Sequence, residues 1–173
     1  MTGPDISTQV LGESEDVIHT DDFAQLEAAT DRLVAQARTS IRILAQDTDP
    51  ALYSRQPFID ALATLISTRS KVASIRVLVA DPARATREPH RLVDLWHRFP
   101  SFVDFRQLRD SYARMDEAFL IVDDIGMIRR PHHADIAAVV TFRNLTTARE
   151  RAAWFDEAWS HAGPCTALRR LRL

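Results

Sequence analysis

The chain has 173 residues, of which 46% are hydrophobic, and its formal net charge is −2. This length allows one sizeable core and is too short for two ordinary domains, while the near-neutral charge argues against a nucleic-acid binder. Cys165 is the only cysteine, which excludes an internal disulfide and argues against a thiolate metal site.

No apolar run approaches the roughly 20 residues that span a bilayer, and the N-terminus lacks the charged and apolar order of a signal peptide. We therefore expect a cytoplasmic protein with no membrane span.

Residues 1–15 are polar and without apolar periodicity, which predicts a flexible acidic tail followed by a single domain over residues 16–173. Between Met1 and Asp31 the chain has eight acidic residues and no Lys or Arg. Thr20 is the predicted N-cap of the first helix. The apolar stripe of that helix comprises Phe23, Leu26, Leu33, Val34 and Ala37.

Strands and helices alternate early in the chain, and several strands then follow one another before a closing helix. Apolar runs predict strands at residues 40–46, 74–80, 102–108, 118–124, 126–131 and 137–142. Residues 47–53 are predicted to form a loop in which Pro50 opens a turn. Helical periodicity predicts further helices at residues 58–66, 89–99 and 148–159, the last capped by Asn144 or Thr146. This order predicts an α/β sandwich with a mixed β-sheet flanked by helices.

Few residues are candidates for chemistry. His132 and His133 are adjacent in a predicted loop, but a metal site needs three or four ligands, and no other cluster joins them in the sequence. His90 is expected to cap or line the start of its helix, and Asp123 and Asp124 precede a turn that aspartate favours. Because the chain has no glycine-rich phosphate loop or other cofactor motif, we expect no metal and no cofactor.

Three stretches carry a resemblance to a known fold. "SIRILAQDTDPALYSRQPFIDAL" begins a strand, loop, helix and buried strand over residues 37–81, "MDEAFLIVDDIGMIRRP" spans residues 115–131, and "FDEAW" lies in the closing helix. In this order they resemble the phospholipase D-like superfamily over most of residues 28–160. Through "DPALYSRQPFIDAL", "RPHHAD" and "FDEAW" the chain also resembles an uncharacterised bacterial family of phospholipase D-like domains. The resemblance implies a phospholipase D-like α/β sandwich.

The second stretch lies where the superfamily has its His-x-Lys-x-x-x-x-Asp signature. Asp123 matches the signature aspartate, but Asp116 occupies the position of the nucleophilic histidine and Ala118 that of the lysine. Shifting the frame by one residue places Glu117 and Phe119 at those positions, so neither frame restores the signature. Because the superfamily reaction needs an imidazole nucleophile and a cation, the resemblance implies a degenerate module. It also implies a homodimer, since active members join two signatures at one interface.

Two functions remain, and the sequence favours the one without catalysis. The first is a non-catalytic module that binds an anionic ligand or a protein partner. Its candidate ligand-binding residues are Arg114, Asp116, Asp123, Arg129, Arg130 and Asn144, with Arg84 nearby. The alternative is a phosphoester-processing enzyme with a carboxylate-based site, metal-dependent in one version, that uses Asp116, Glu117 and Asp123 with His90 or His132 as base. Nucleic acid is a disfavoured third ligand because the N-terminal region is acidic.

Overall fold

The computed structural model describes residues 3–84, 88–113 and 116–169. The strands are β1 Val17–Thr20, β2 Ser40–Ala45, β3 Ser74–Val79, β4 Val103–Gln107, β5 Ala118–Val122, β6 Gly126–Arg130, β7 Ala138–Thr141 and β8 Gly163–Pro164. The helices are α1 Phe23–Ala35, α2 Pro50–Tyr53, α3 Gln56–Thr68, α4 Arg91–Arg98, α5 Leu145–His161 and α6 Thr166–Arg169, preceded by a short 3-10 helix at Ile6–Thr8.

The eight strands form one mixed sheet in the order β1-β7-β6-β5-β2-β3-β4-β8. The β2–β3 and β3–β4 pairs are parallel, and the other pairs are antiparallel. The predicted mixed α/β sandwich is therefore confirmed. Since β2 and β5 are antiparallel neighbours, the last residue of β2 and the first residue of β5 lie at the same end of the sheet, along the strand direction.

Both faces of the central strands are buried, which explains why their sequences are almost continuously apolar. On β5, Leu120 and Val122 pack into a core with α1, α3 and α4, whereas Phe119 and Ile121 pack against α5 on the opposite face. This alternation follows from the two-residue period of a strand. The face covered by α1, α3 and α4 holds the larger core.

Three local predictions differ from the structure. Thr20 ends β1 instead of capping α1, and the N-cap is Asp22, whose carboxylate accepts a hydrogen bond from the Gln25 N–H at 2.8 Å. Strand β1 was not predicted, because its sequence VIHT has only two apolar residues and forms no apolar run. Pro50 begins the short helix α2 and not a simple turn, which agrees with the preference of proline for the first helical turn.

The segment before β1 makes specific contacts with the rest of the domain. The backbone N–H of Leu11 donates to Gln36 Oε1 at 2.8 Å, and the N–H of Gly12 donates to the Phe142 carbonyl at 2.9 Å. Gln9 is buried. The flexibility assigned to residues 1–15 stays a prediction about the chain in solution.

Gly126 lies in the tightest packing of any glycine in the described part of the chain. A Cβ atom built on it would lie 2.7 Å from Cδ1 of both Leu11 and Leu33, and 3.2 Å from the Thr141 carbonyl oxygen. We expect Gly126→Ala to lower the free energy of unfolding by about 1–3 kcal/mol through overpacking, as measured by urea denaturation. Gly163→Ala is the control and should change it by less than about 0.5 kcal/mol, because nothing lies within 4 Å of its Cβ position.

Candidate functional site

A cleft opens at one end of the central strands, where β2 ends and β5 begins. It has a volume of about 240 Å³ and is lined by Gln46, Asp47, Asp49, Arg84, Ala118, His133 and Ala134. Ala118, at the position of the signature lysine, is buried at its base. The cleft therefore lies where the sequence comparison places the reactive part of the signature.

Asp116 fastens the loop of residues 131–137 beside this cleft. His132 Nδ1 lies 2.7 Å from Asp116 Oδ2, and His133 Nε2 lies 3.1 Å from Asp116 Oδ1. The backbone N–H of His133 also donates to the Asp116 carbonyl at 2.7 Å. The residue at the nucleophile position thus accepts hydrogen bonds from two histidines.

Sequence reasoning missed this contact, although the hairpin register contains it. Ala118 pairs with Arg130 across β5 and β6. Extending the antiparallel register by two residues brings Asp116 opposite His132. The register itself follows from the turn at Asp123 and Asp124. The contact between Asp116 and His132 could therefore be predicted from the sequence only once the geometry of that turn was known.

Arg130 is bonded within the protein. Its guanidinium pairs with the carboxylate of Asp49 and donates to the carbonyls of Asp135 at 2.9 Å and His133 at 2.6 Å. Only 12% of its side chain is exposed. Arg130 therefore holds the 131–137 loop against the residues after β2, and anion binding would require these bonds to break.

Arg129 points to the opposite face of the sheet, as strand alternation requires. Its Nε lies 3.4 Å from Glu117 Oε2, and Arg151 Nη2 of α5 lies 3.2 Å from the same oxygen. Glu117 is thus paired under α5, while Asp116 faces the histidines. Two of the carboxylates proposed for an enzymatic site do not converge.

Asp123 and Asn144 lie at the opposite end of the central strands from the cleft. Asp123 follows β5, and its carboxylate accepts hydrogen bonds from the N–H groups of Arg38, Thr39 and Ser40 at 2.8, 2.8 and 3.0 Å. Asn144 Oδ1 accepts from the Thr147 N–H at 3.1 Å and so caps α5, which confirms one of the two predicted caps. Both side chains have structural bonds.

The structure therefore does not bring the predicted ligand-binding residues together. Asp116 and Arg130 lie beside the cleft, Arg129 faces α5, and Asp123 and Asn144 belong to the far end of the central strands. Arg114 lies outside the described residues. The length of β5 separates Asp116 from Asp123, so these two carboxylates do not share one cleft, and ligand binding by the individual residues stays a prediction.

His90 cannot serve as the base of an enzymatic site in this arrangement. It is the buried N-cap of α4, where Nδ1 accepts the Leu92 N–H at 3.1 Å and Nε2 lies 2.9 Å from the Thr48 carbonyl. Because Nδ1 accepts, the ring proton lies on Nε2 and is donated to Thr48. Burial lowers the pKa of His90, which favours this neutral form.

The cleft is electrostatically unsuited to a phosphate. Asp47 and Asp49 line it, Arg84 in the same lining lies 3.7 Å from Asp81, and the adjacent Arg130 is bonded to Asp49. Within the described ranges no group of three or more His, Cys, Asp or Glu side chains could hold a metal ion. Chemically, the arrangement offers a carboxylate–imidazole pair, Asp116 with His132, and no unpaired cation beside it.

Comparisons with known proteins agree with this fold. A family described as "Domain of unknown function (DUF7931)" matches residues 22–171. No curated protein matches the chain in sequence. Of the helices in residues 3–84, 88–113 and 116–169, none has the length and apolarity required to cross a bilayer.

Solved structures similar to this chain include a phospholipase D family member, a second bacterial protein and an archaeal chromatin protein. Nuc from Salmonella typhimurium, a phospholipase D family member, has a TM-score of 0.55 at 14% identity, with 86% of this chain and 95% of that chain covered. NucT from Helicobacter pylori has a TM-score of 0.57 at 9% identity, covering 87% and 98%. The archaeal chromatin protein TrmBL2 has a TM-score of 0.64 at 16% identity, covering 90% of this chain.

This chain spans 56% of the TrmBL2 chain. At these identities the likeness establishes the fold, which is phospholipase D-like, as the sequence resemblance implied.

Asp123 is expected to contribute to stability through its carboxylate charge. Asp123→Asn retains a residue that tolerates the left-handed backbone conformation but turns an amide NH₂ toward N–H donors. We expect the free energy of unfolding to fall by about 1–3 kcal/mol in urea denaturation. Asp21→Asn is the matched control, since the Asp21 carboxylate has no partner in the described chain, and it should change stability by less than about 0.5 kcal/mol. Equal effects of the two variants would contradict this role of Asp123.

Proposed function

This chain belongs to the DUF7931 family, and we propose that it is a non-catalytic phospholipase D-like module that acts by binding a protein partner. One observation carries the proposal: Asp116 stands at the nucleophile position and is bonded to His132 and His133. Ala118 stands at the lysine position. The groups that the superfamily reaction requires are therefore replaced by an internal contact.

Phosphodiester cleavage by the superfamily mechanism conflicts with this arrangement. A carboxylate at the point of attack repels the phosphate, and no unpaired cation beside Ala118 in the described chain would stabilise the developing charge. Arg130, the nearest buried cation, is neutralised by Asp49. Asp116 and Arg130 are both bonded within the protein beside the cleft.

Of the two ligand classes that the sequence suggested, a protein partner is better supported than an anionic ligand. Arg129 and Arg130 are paired with Glu117 and Asp49, so an anion would have to compete with a carboxylate for either side chain. In contrast, the 131–137 loop is exposed and held in place by Asp116 and Arg130. Ile136 in this loop is 44% exposed, and an exposed apolar side chain on a fixed loop suits a protein contact.

A second copy of the chain is the partner we propose, in the cytoplasm. The superfamily resemblance implies a dimer whose interface lies at the end of the sheet that carries the signature positions Asp116 and Ala118. The 131–137 loop lies at that end. TrmBL2 is described as binding DNA, but the net charge of −2 and the acidic residues around the cleft oppose nucleic-acid binding by this chain.

A second candidate function is a phosphoester hydrolase based on Asp116 and His132. The observation in its favour is the 2.7 Å contact between His132 Nδ1 and the carboxylate, which orients the ring and leaves a side chain that is 64% exposed. A carboxylate-oriented imidazole is the arrangement of a general base. The absence of an unpaired cation from the described surroundings makes this candidate the weaker one.

The dimer can be tested by substitution of Ile136. We expect the native chain to sediment as a dimer and Ile136→Asp as a monomer, because a buried charge at the interface is costly. Val72→Asp is the control, because Val72 is 56% exposed and lies before β3, at the opposite end of the central strands from Ile136. Its substitution should leave the dimer intact. A monomeric native chain would exclude the homodimer, and a dimeric Ile136→Asp variant would exclude this surface.

The hydrolase candidate can be tested with bis(p-nitrophenyl) phosphate, with and without Mg²⁺ or Mn²⁺. We expect the native chain, His132→Ala and Asp116→Asn to give the same background rate. A general base contributes typically about 10²–10⁴-fold, so a loss of turnover of that size in His132→Ala would instead establish catalysis and sink the non-catalytic proposal. His19→Ala, an exposed histidine on β1, controls for unspecific imidazole effects.

A further inference from the structure

A larger cavity lies at the opposite end of the central strands from the cleft. It is bounded by α1, α3 and the segment before β1. Its volume is about 560 Å³, within the range of roughly 300–1,000 Å³ that is usual for small-molecule sites. We call it the α1–α3 groove. Its apolar wall consists of the half-buried Val10, Leu11, Ala61 and Ile125, with the buried Val34 and Leu65 beneath them.

Two arginines with unbonded guanidinium groups line this groove. Arg38 follows α1 and Arg69 follows α3, and both side chains are exposed. Within the described chain neither guanidinium has a hydrogen bond, an ion pair or an aromatic contact. Arg129 and Arg130 are paired with carboxylates, so the two groove arginines differ from those that the sequence suggested as anion ligands.

Two carboxylates also line the groove, and they differ in how far they can neutralise the arginines. The Asp123 carboxylate accepts hydrogen bonds from three backbone N–H groups and from the Thr39 hydroxyl, so its charge is already compensated. Glu13 is exposed and has no side-chain partner among the described residues. The lining of the groove therefore includes one free carboxylate and two free guanidinium groups.

We propose that the α1–α3 groove binds an amphipathic anion, whose phosphate or carboxylate head is held by Arg38 and Arg69 and whose short apolar group packs on the wall. Guanidinium groups bind both kinds of head through paired, charge-assisted hydrogen bonds. The neighbouring apolar side chains supply the surface that the rest of the ligand would bury. This site goes beyond the proposed function and is independent of it, because the groove and the cleft share no residue.

The test is calorimetric titration of the full chain with hexyl phosphate and hexanoate, which separates the two kinds of head. Hexylammonium and inorganic phosphate are the ligand controls. We expect one or both anions to bind in a 1:1 complex and hexylammonium not to bind. Inorganic phosphate should bind at least about tenfold more weakly than hexyl phosphate, because burial of the apolar group contributes to affinity.

Variants locate the site. Arg38→Gln and Arg69→Gln should each weaken binding by about tenfold or more, since each removes a charge-assisted contact. Glu13→Gln should tighten binding, because it removes the opposing free charge. Arg149→Gln is the control: this exposed arginine on α5 also has no side-chain partner in the described chain, and its loss should leave the affinity unchanged.

Several results would overturn the proposal. They are no binding of either anion by the native chain, equal binding of hexylammonium, or weakening by Arg149→Gln equal to that by Arg38→Gln and Arg69→Gln. Equally tight binding of inorganic phosphate would overturn the apolar part. All four side chains are exposed, so native far-UV circular dichroism and thermal midpoints are expected for every variant, and Glu13→Gln gives a gain of affinity that unfolding cannot mimic.

Discussion

The carboxylates of Asp123 and Asp124 bind the β5–β6 hairpin to β2, and the position of the cleft depends on this attachment. Both residues adopt left-handed backbone angles, with φ of 56° and 58°, which costs roughly 1–2 kcal/mol per residue for a side chain other than glycine. Asp123 offsets this cost by accepting the N–H groups that precede and begin β2. Asp124 pairs with the buried Arg42 of β2, whose Nε also donates to Asp156 of α5 at 2.9 Å.

This attachment determines which residues meet at the far end of the hairpin. Once the turn is fixed, the pairing of Ala118 with Arg130 is fixed, and Asp116 must lie beside His132. Burial alone would raise the pKa of Asp156, but hydrogen bonds and charges from Arg42 and Arg76 outweigh it and lower that pKa. The helix on the second face is thus tied to the same ionic network as the turn. The position of the cleft therefore depends on these contacts and not on which residues occupy the signature positions.

The sequence was informative where periodicity and local capping determine the structure. Strands β2, β3 and β5 are long apolar runs, and Asn144 is a short polar side chain directly before a helical stripe, so both kinds of element were predicted correctly. Strand β1 has only two apolar residues and strand β8 has only two residues in all, so neither forms an apolar run. The placement of the candidate residues depends on strand length: five strand residues at about 3.3 Å each separate Asp116 from Asp123, so neighbours in the signature are distant in space.

Pairing of the arginines, which the sequence cannot show, decides where an anion can bind. A guanidinium that is already bonded, such as that of Arg130 with Asp49, must lose those bonds before it can hold a ligand, and each lost bond leaves a partner unsatisfied at a cost of about 1–3 kcal/mol. Arg38 and Arg69 exchange only water for the ligand. Arginines therefore have different roles at the two ends of the central strands. At the cleft, Arg130 holds a loop in place, and at the α1–α3 groove the guanidinium groups of Arg38 and Arg69 remain available to a ligand.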